Sequence, residues 1–263
     1  MRIGFVGAGR MGAPMVRRLV DAGHDVDAVG RTEDKRQAVA ELGARPVPDL
    51  AATAPDADAI VLCVFTDDQV KQICVEGDLV AGMRPGSALI VHTTGSPRTA
   101  QAIAERFTHV DVIDAPVSGG PHDIAAGHVT LFVGGDDAAV ARMQPMLGAY
   151  GDPIVHAGAV GAGQLVKLIN NTMFAAQIGL VAEGVRLGTR FGIDEGALLG
   201  ALTHGSSSSR VLGMIASAGS ADAFISAVGE FIGKDVAVVR KTVAELGGDL
   251  GVLDALVNAG VTS

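Results

Sequence analysis

The chain opens on "RIGFVGAGRMG", and that opening restricts its fold more than any other stretch. A short β-rich run, "RIGFVG", leads straight into Gly7, Gly9 and Gly12, and helical spacing begins at Met11. Gly7 permits a tight turn, Gly9 lets the backbone approach a ligand, and Gly12 lets helix and strand pack closely. A helix that starts there offers unpaired N–H groups and the positive end of its dipole, which favour a pyrophosphate. The glycine spacing alone is a weak signal. Between a strand and a helix, at the head of a βαβ unit, it predicts dinucleotide binding, with Arg10 and Met11 inside the same turn.

The alternation continues. "HDVDAVG", "DAIVLCVF", "SALIVHT" and "HVDVIDAPV" have strand composition, with helical stretches at Glu33–Leu42, 67–74 and 97–107 between them. "VTLFVGG" and "PIVHAG" bracket a further helix near 136–148. Strands alternating with helices of this length predict an α/β fold, a parallel sheet covered by helices on both faces. The pattern changes after about residue 160, where Gly163–Arg190 is helical throughout. Helices are expected over 194–202, 208–218 and 233–246, and "HGSSSSR" is a connector or helix start. Two domains follow: an α/β unit over 1–160 and an all-helical unit over 161–263 that begins with a long helix at about 163–190.

Composition removes several alternatives. The 263 residues carry a net charge of −9, with no Trp and a single Tyr. No basic block or stacking platform for nucleic acid is present. The two cysteines make neither a disulfide framework nor a metal site. Cys63 is expected to be a buried small hydrophobe, and Cys74 is isolated. No segment reaches the ~18–20 uncharged apolar residues of a membrane span. The first residues enter structure without a leader pattern, so a cytoplasmic protein is expected.

The second strand ends "AVGRTEDK", where an NAD site would offer an acid to the ribose hydroxyls. Here Gly30, Arg31 and Thr32 stand instead, and the acids come one and two residues later. Arg31 is suited to a 2′-phosphate and to stacking on adenine, with Thr32 adding a hydrogen bond. The expected cofactor is therefore NADP in preference to NAD.

Two further stretches stand out. In "DAPVSGGPHDIAAG", Ser118, Gly119 and Gly120 make a tight turn able to cradle a carboxylate through N–H groups and a hydroxyl; it also reads as a plain loop. In "GAGQLVKLINN", Lys167 sits in an apolar run with Asn171 four residues on, along one side of a helix. Taken alone, that lysine reads as one reaching for solvent along an amphipathic surface.

The ordered set "GAGRMGAPM", "HTTGSP", "DAPVSGG", "GAVGAGQLVKLINN" and "GKD" resembles the β-hydroxyacid dehydrogenases, the group of 3-hydroxyisobutyrate dehydrogenase and the glyoxylate, tartronate semialdehyde and succinic semialdehyde reductases, with 6-phosphogluconate dehydrogenase as a relative. The resemblance covers residues 1 to about 240 and implies a Rossmann-type first domain joined to the helical one by the long helix. It implies that Lys167 is the catalytic acid/base and that Asn171 holds the reacting oxygen. Ser118, Gly119 and Gly120 would grip a small carboxylate substrate, and Thr94 would lie by the nicotinamide ribose or the substrate. Phe65 and Thr66 would lie along the adenosine-side ribose, Lys234 would face the cofactor, and the chain would form a homo-oligomer, a dimer or tetramer. Apolar surroundings would lower the pKa of Lys167 toward its working range.

Two departures from the family pattern are visible. Asp123-Ile124 and Gly127-His128 replace the usual Gly-Ala and Gly-Thr, while His122 and His128 read as ordinary loop histidines. The chain also stops at "LVNAGVTS", some tens of residues before the usual family end, so closing helices are expected to be short or missing. The competing readings are a non-catalytic nucleotide-binding or scaffold protein and an imine-reductase-like enzyme. In this reading both lack the lysine that the chain keeps at 167.

Overall fold

The computed structural model describes residues 1–49 and 52–261. The chain divides into two compact units, Met1–Lys167 and Leu168–Ser263, with the division inside one long helix.

The first unit is a nine-stranded sheet flanked by helices. In chain order its elements are β1 (Arg2–Val6), α1 (Gly12–Asp21), β2 (Asp25–Val29), α2 (Glu33–Glu41), β3 (Arg45–Val47) and β4 (Ala59–Leu62). There follow α3 (Asp67–Lys71), a π-helical turn (Gln72–Glu76), β5 (Ala88–Val91), α4 (Pro97–Arg106), β6 (Asp111–Asp114) and β7 (Val117–Ser118). The unit continues with α5 (Pro121–Ala126), β8 (Val129–Gly134), α6 (Asp137–Leu147) and β9 (Gly151–Gly158). Strand order is β3-β2-β1-β4-β5-β6-β8-β7, with β9 on β8. The order reverses between β1 and β4, which opens a crevice at their carboxyl ends where such sheets bind ligands.

Both faces of this sheet are covered, which explains the unbroken apolar runs "AIVL" and "ALIV". Side chains alternate between two cores. Ile3, Phe5, Val61 and Ile90 enter one, and Val6, Ile60, Leu62, Leu89 and Val91 enter the other.

The expected parallel sheet holds from β3 through β6 and needs correction beyond. β8 runs antiparallel to β6 and β7. Between β7 and β8 the reason is length, because a parallel return needs a crossover of about a dozen residues or more, and residues 119–128 are fewer. The short strand β3 was also missed. It is held by Arg45, which donates two hydrogen bonds to Asp27 on β2.

Cys74, not Cys63, is the fully buried thiol, and burial pushes it up to about 12; Cys63 is half-buried. His92 and Tyr150, both buried, form a polar contact inside the first core region. His92 Nδ1 lies 2.6 Å from the Ala115 carbonyl, so it carries the proton, and Nε2 accepts from the Tyr150 hydroxyl at 2.8 Å.

The second unit comprises α7 (Ala162–Arg190) from Leu168 onward, α8 (Glu195–Leu202), α9 (Arg210–Ala218), α10 (Ala221–Glu245) and α11 (Leu253–Val261). Among the described residues, α7 is the single helix long and apolar enough to cross a membrane, yet 44% of its most apolar window is buried within the protein. Helix α10 begins at Ala221, twelve residues before the expected start at 233. Its interior Gly229 and Gly233 weaken helix propensity by about 1 kcal/mol each. Burial of Phe224, Ile225, Ile232 and Val236 offsets that, and the Ser220 hydroxyl caps the first turn. The last described residues form the short helix α11. Gly260 and Gly179 let α11 and α7 meet backbone to backbone, since a Cβ on Gly179 would overlap the Leu256 carbonyl oxygen.

Burial lowers the pKa of His92 to about 4, only partly opposed by its contact with Ala115. The folded protein therefore resists protonation that the unfolded chain accepts near pH 6.5. Stability is complete above pH 6.5 and should fall by on the order of 3 kcal/mol as pH drops from about 6.5 to about 4. Urea unfolding across that range should show the loss, and His92→Gln should flatten it.

Candidate functional site

The turn after β1 separates glycines needed by the chain from one that leaves space. Gly7 has φ +99°, and a Cβ there would overlap the Cys63 carbonyl oxygen beyond β4. A Cβ on Gly12 would overlap the Gly7 carbonyl oxygen and lie 2.8 Å from the Phe5 ring. At Gly9 a Cβ would meet nothing within 4 Å. Packing thus explains two glycines, and the third leaves open backbone at the N-terminal end of α1, at the strand-order reversal. That arrangement fits a pyrophosphate. Arg10 is exposed, and Met11 is half-buried against the core.

At the end of β2 an acid has no room at position 30. A Cβ on Gly30 would lie within 2.9 Å of the Arg36 backbone, at the start of α2. Arg31 is exposed and lines an open groove with the apolar side chains of Pro48, Ile73 and Leu79 and with two acids, Asp49 and Asp78. Thr32 serves first as the cap of α2: its hydroxyl oxygen accepts from Lys35 N at 3.4 Å, and its hydroxyl hydrogen stays available to a ligand.

After β4, Thr66 and Gln69 form a reciprocal cap on α3. The Gln69 side-chain oxygen accepts from the backbone N–H of both Phe65 (2.9 Å) and Thr66 (3.1 Å). The cap fixes a turn that leaves Phe65 61% exposed, an apolar ring held at the ligand end of the sheet.

The Ser118-Gly119-Gly120 turn follows β7, with Gly119 at φ +140°. One of its expected N–H donors is already used. Gly120 N donates to Asp123 Oδ2 at 2.6 Å as part of the cap of α5, and the other Asp123 oxygen lies 3.2 Å from His122 Nε2. The departure at Asp123 therefore places the chain's own carboxylate against Gly120. The Ser118 hydroxyl and the Gly119 N–H are left as the remaining groups of the cradle. His122 and His128 are exposed.

Lys167 is half-buried in the first turns of α7, and the helix places Asn171 one turn further along the same side. The start of α7 is tied to the sheet. Buried Asp114, the last residue of β6, accepts from Gly161 N at 2.6 Å and Gln164 N at 2.7 Å. Gln164 in turn accepts from Gly95 N at 2.9 Å and donates to the Thr93 carbonyl at 2.8 Å. Thr94, between those two, is half-buried.

In the helical unit, the Asn171 amide donates to Asp235 at 2.7 Å, beside half-buried Lys234 on α10. Asp114, Gln164 and Asp235 were not singled out from sequence. Their signal lay in plain view, since each stands inside a quoted motif that also holds a residue that was. Among the described residues, no group of three or more His, Cys, Asp or Glu side chains is arranged to hold a metal ion.

Comparison with known proteins agrees with this geometry. Residues 2–158 match the NAD binding domain of 6-phosphogluconate dehydrogenase, and residues 161–258 match the domain described as NAD-binding of NADP-dependent 3-hydroxyisobutyrate dehydrogenase. The chain belongs to the β-hydroxyacid dehydrogenase family. It is similar to a NAD-dependent L-serine dehydrogenase of Pseudomonas aeruginosa, 33% identical over 73% of this chain and 66% of that one. It is also similar to a probable mitochondrial 3-hydroxyisobutyrate dehydrogenase of Dictyostelium discoideum, 32% identical over 75% and 63% of the two chains. The match thus spans just under two thirds of each of those relatives.

Among solved structures, Mycobacterium tuberculosis 3-hydroxyisobutyrate dehydrogenase with L-serine superposes with a TM-score of 0.87 at 26% identity, covering 99% of this chain and 91% of that one. An imine reductase from Myxococcus stipitatus, at 19% identity and a TM-score of 0.65, shares the fold. As a member of this family the chain is an oxidoreductase whose first unit binds a nicotinamide dinucleotide.

Replacing Asp123 by Gly should release the Gly120 N–H and remove a negative charge from the turn. A simple carboxylate such as propionate should then bind the nicotinamide-loaded protein about tenfold more tightly by calorimetry, equal to about 1.4 kcal/mol. An unchanged Kd would mean that the turn does not receive carboxylates.

Proposed function

We propose that the protein transfers a hydride between NADP, in preference to NAD, and a small β-hydroxyacid or its semialdehyde, with Lys167 as general acid/base. The bound nicotinamide supplies or accepts the hydride at the substrate carbon. Everything else falls to side chains. In the direction of reduction, the Lys167 ammonium gives a proton to the oxygen on which charge builds; in oxidation, the neutral amine removes the hydroxyl proton. The Asn171 amide holds that oxygen in line, and its bond to Asp235 fixes which way the amide faces. The Ser118 hydroxyl and Gly119 N–H receive the substrate carboxylate, and Thr94 orients substrate or ribose.

One observation carries this reading: Lys167 stands on a helix whose first turn is bonded to the "HTTGSP" loop and to the end of β6. A lysine merely reaching for solvent needs no such anchoring. The same residue weighs against a scaffold protein and against an imine-reductase-like activity. L-Serine is itself a β-hydroxyacid, so the serine dehydrogenase among the relatives supports the substrate class.

For the cofactor, the blocked position at Gly30 and the exposed guanidinium of Arg31 favour a 2′-phosphate over a free ribose hydroxyl. Phe65, Thr66, Thr32 and Lys234 complete the proposed cofactor contacts, with Gly7, Gly9, Arg10, Met11 and Gly12 at the pyrophosphate. Exposed Ile169, Met173, Leu180 and Leu187 form an apolar stripe along α7, which supports a homo-oligomer, a dimer or tetramer. A cytoplasmic location is part of the same proposal.

Lys167→Ala should leave NADPH binding intact while turnover falls by about 10²-fold or more, measured with 3-hydroxyisobutyrate, L-serine, succinic semialdehyde, glyoxylate, tartronate semialdehyde and methylmalonate semialdehyde. Turnover equal to that of the parent protein would defeat the assignment. Arg31→Ala should weaken NADPH more than NADH in fluorescence titration, and an unchanged ratio would remove the cofactor preference.

A further inference from the structure

The polar groups at the start of α7 are few, buried and fully committed. Asp114 has no exposed surface and Gln164 has 2%. The two Asp114 oxygens take separate N–H groups of the α7 start, and glycine is required around them. A Cβ on Gly163 would come within 2.9 Å of Asp114 Oδ2, and one on Gly134 would crowd Oδ1 at 2.5 Å. Burial pushes the Asp114 carboxyl above its ordinary range, and the N–H donors of Gly161, Gln164 and Gly163 pull against that rise. A buried acid held this way costs more than an uncharged cap would, because desolvation opposes it. An ordinary helix start is satisfied by an exposed Ser or Asp, as Asp194 does for α8.

Gln164 adds what a cap alone lacks. It lies three residues before Lys167, on the same side of the helix, and it bonds at both ends of its amide to the residues flanking Thr94. Helix and loop therefore move as one piece.

We propose that Asp114 and Gln164 are positioning residues for Lys167: they seat the first turn of α7 against the ends of β5 and β6 and so set the reach of the lysine amine toward Thr94 and the reacting oxygen. This rests on the reading of Lys167 as acid/base. A misplacement of about 1 Å at a reacting group can lower the rate by about 10²-fold. Loss of the Gln164 bonds should consequently act on turnover more than on dinucleotide affinity, whose proposed contacts lie mainly at the β1–α1 turn and the end of β2.

The test compares four variants on the panel substrate that the parent protein turns over fastest. Gln164→Met keeps the volume and removes both bonds; Gln164→Glu keeps an acceptor for Gly95 N. Leu19→Ala serves as a core control with a comparable loss of Tm, and Lys167→Ala is the reference. Gln164→Met should lower kcat by about 10–100-fold with NADPH Kd within about twofold of the parent. Gln164→Glu should fall between Gln164→Met and the parent, and Leu19→Ala should keep its kcat below its Tm. If Gln164→Met is too unstable to purify, Gln164→Glu decides in the same way. Parent-like kcat in the Gln164 variants, with turnover lost in Lys167→Ala, overturns the positioning role alone. Parent-like turnover in Lys167→Ala overturns the acid/base reading and this inference with it.

Discussion

A buried carboxylate at the end of β6 governs how this protein is put together. Asp114 binds the first turn of a 29-residue helix, and the fold is arranged so that it can. Glycines stand at 134 and 163 because side chains there would crowd the acid, and at 161 because the backbone that donates to it has φ +95°. A solvated cap would have anchored the helix start to water. A desolvated one anchors it to the sheet, so the position of Lys167 follows from the position of β6.

The crevice at the strand-order reversal is built on a different balance. At the β1–α1 turn, backbone packing accounts for Gly7 and Gly12, and Gly9 alone faces open space. At Gly30 the start of α2 excludes the acid that an NAD site would use, which leaves Arg31 to face the groove. Side-chain caps at Thr32 and Thr66 hold the loops on either side of that groove without closing it. The ligand end of the sheet therefore consists of loops stiffened by their own hydrogen bonds, with apolar and cationic groups left outward.

Much of this was legible in the residues, and the omissions have a common cause. The strand–helix alternation and the glycine turn between β1 and α1 were recovered, and Lys167 and Asn171 fall on one helix, because each of these depends on separations of a few residues. The antiparallel β8 was missed because composition does not state strand direction. The early start of α10 was hidden by Gly229 and Gly233, whose weak propensity is overridden by burial that the local pattern does not report. Asp123 looked like added bulk near a pocket. Only its 2.6 Å bond to Gly120 shows that it takes one of the donors expected to await a ligand.

Local spacing by itself determined the class of fold, the place of the dinucleotide turn and the side of the helix that carries the lysine, since glycine freedom and helical or strand period act between near neighbours. The tertiary structure alone decided which polar groups are already satisfied and which stay open. The bonds that settle it join Asp114 to residues 47 and 50 positions later, and Gln164 to residues 71 and 69 positions earlier. Whether an N–H or a carboxylate meets a partner across such distances depends on how the sheet orders its strands, which no short window of residues contains.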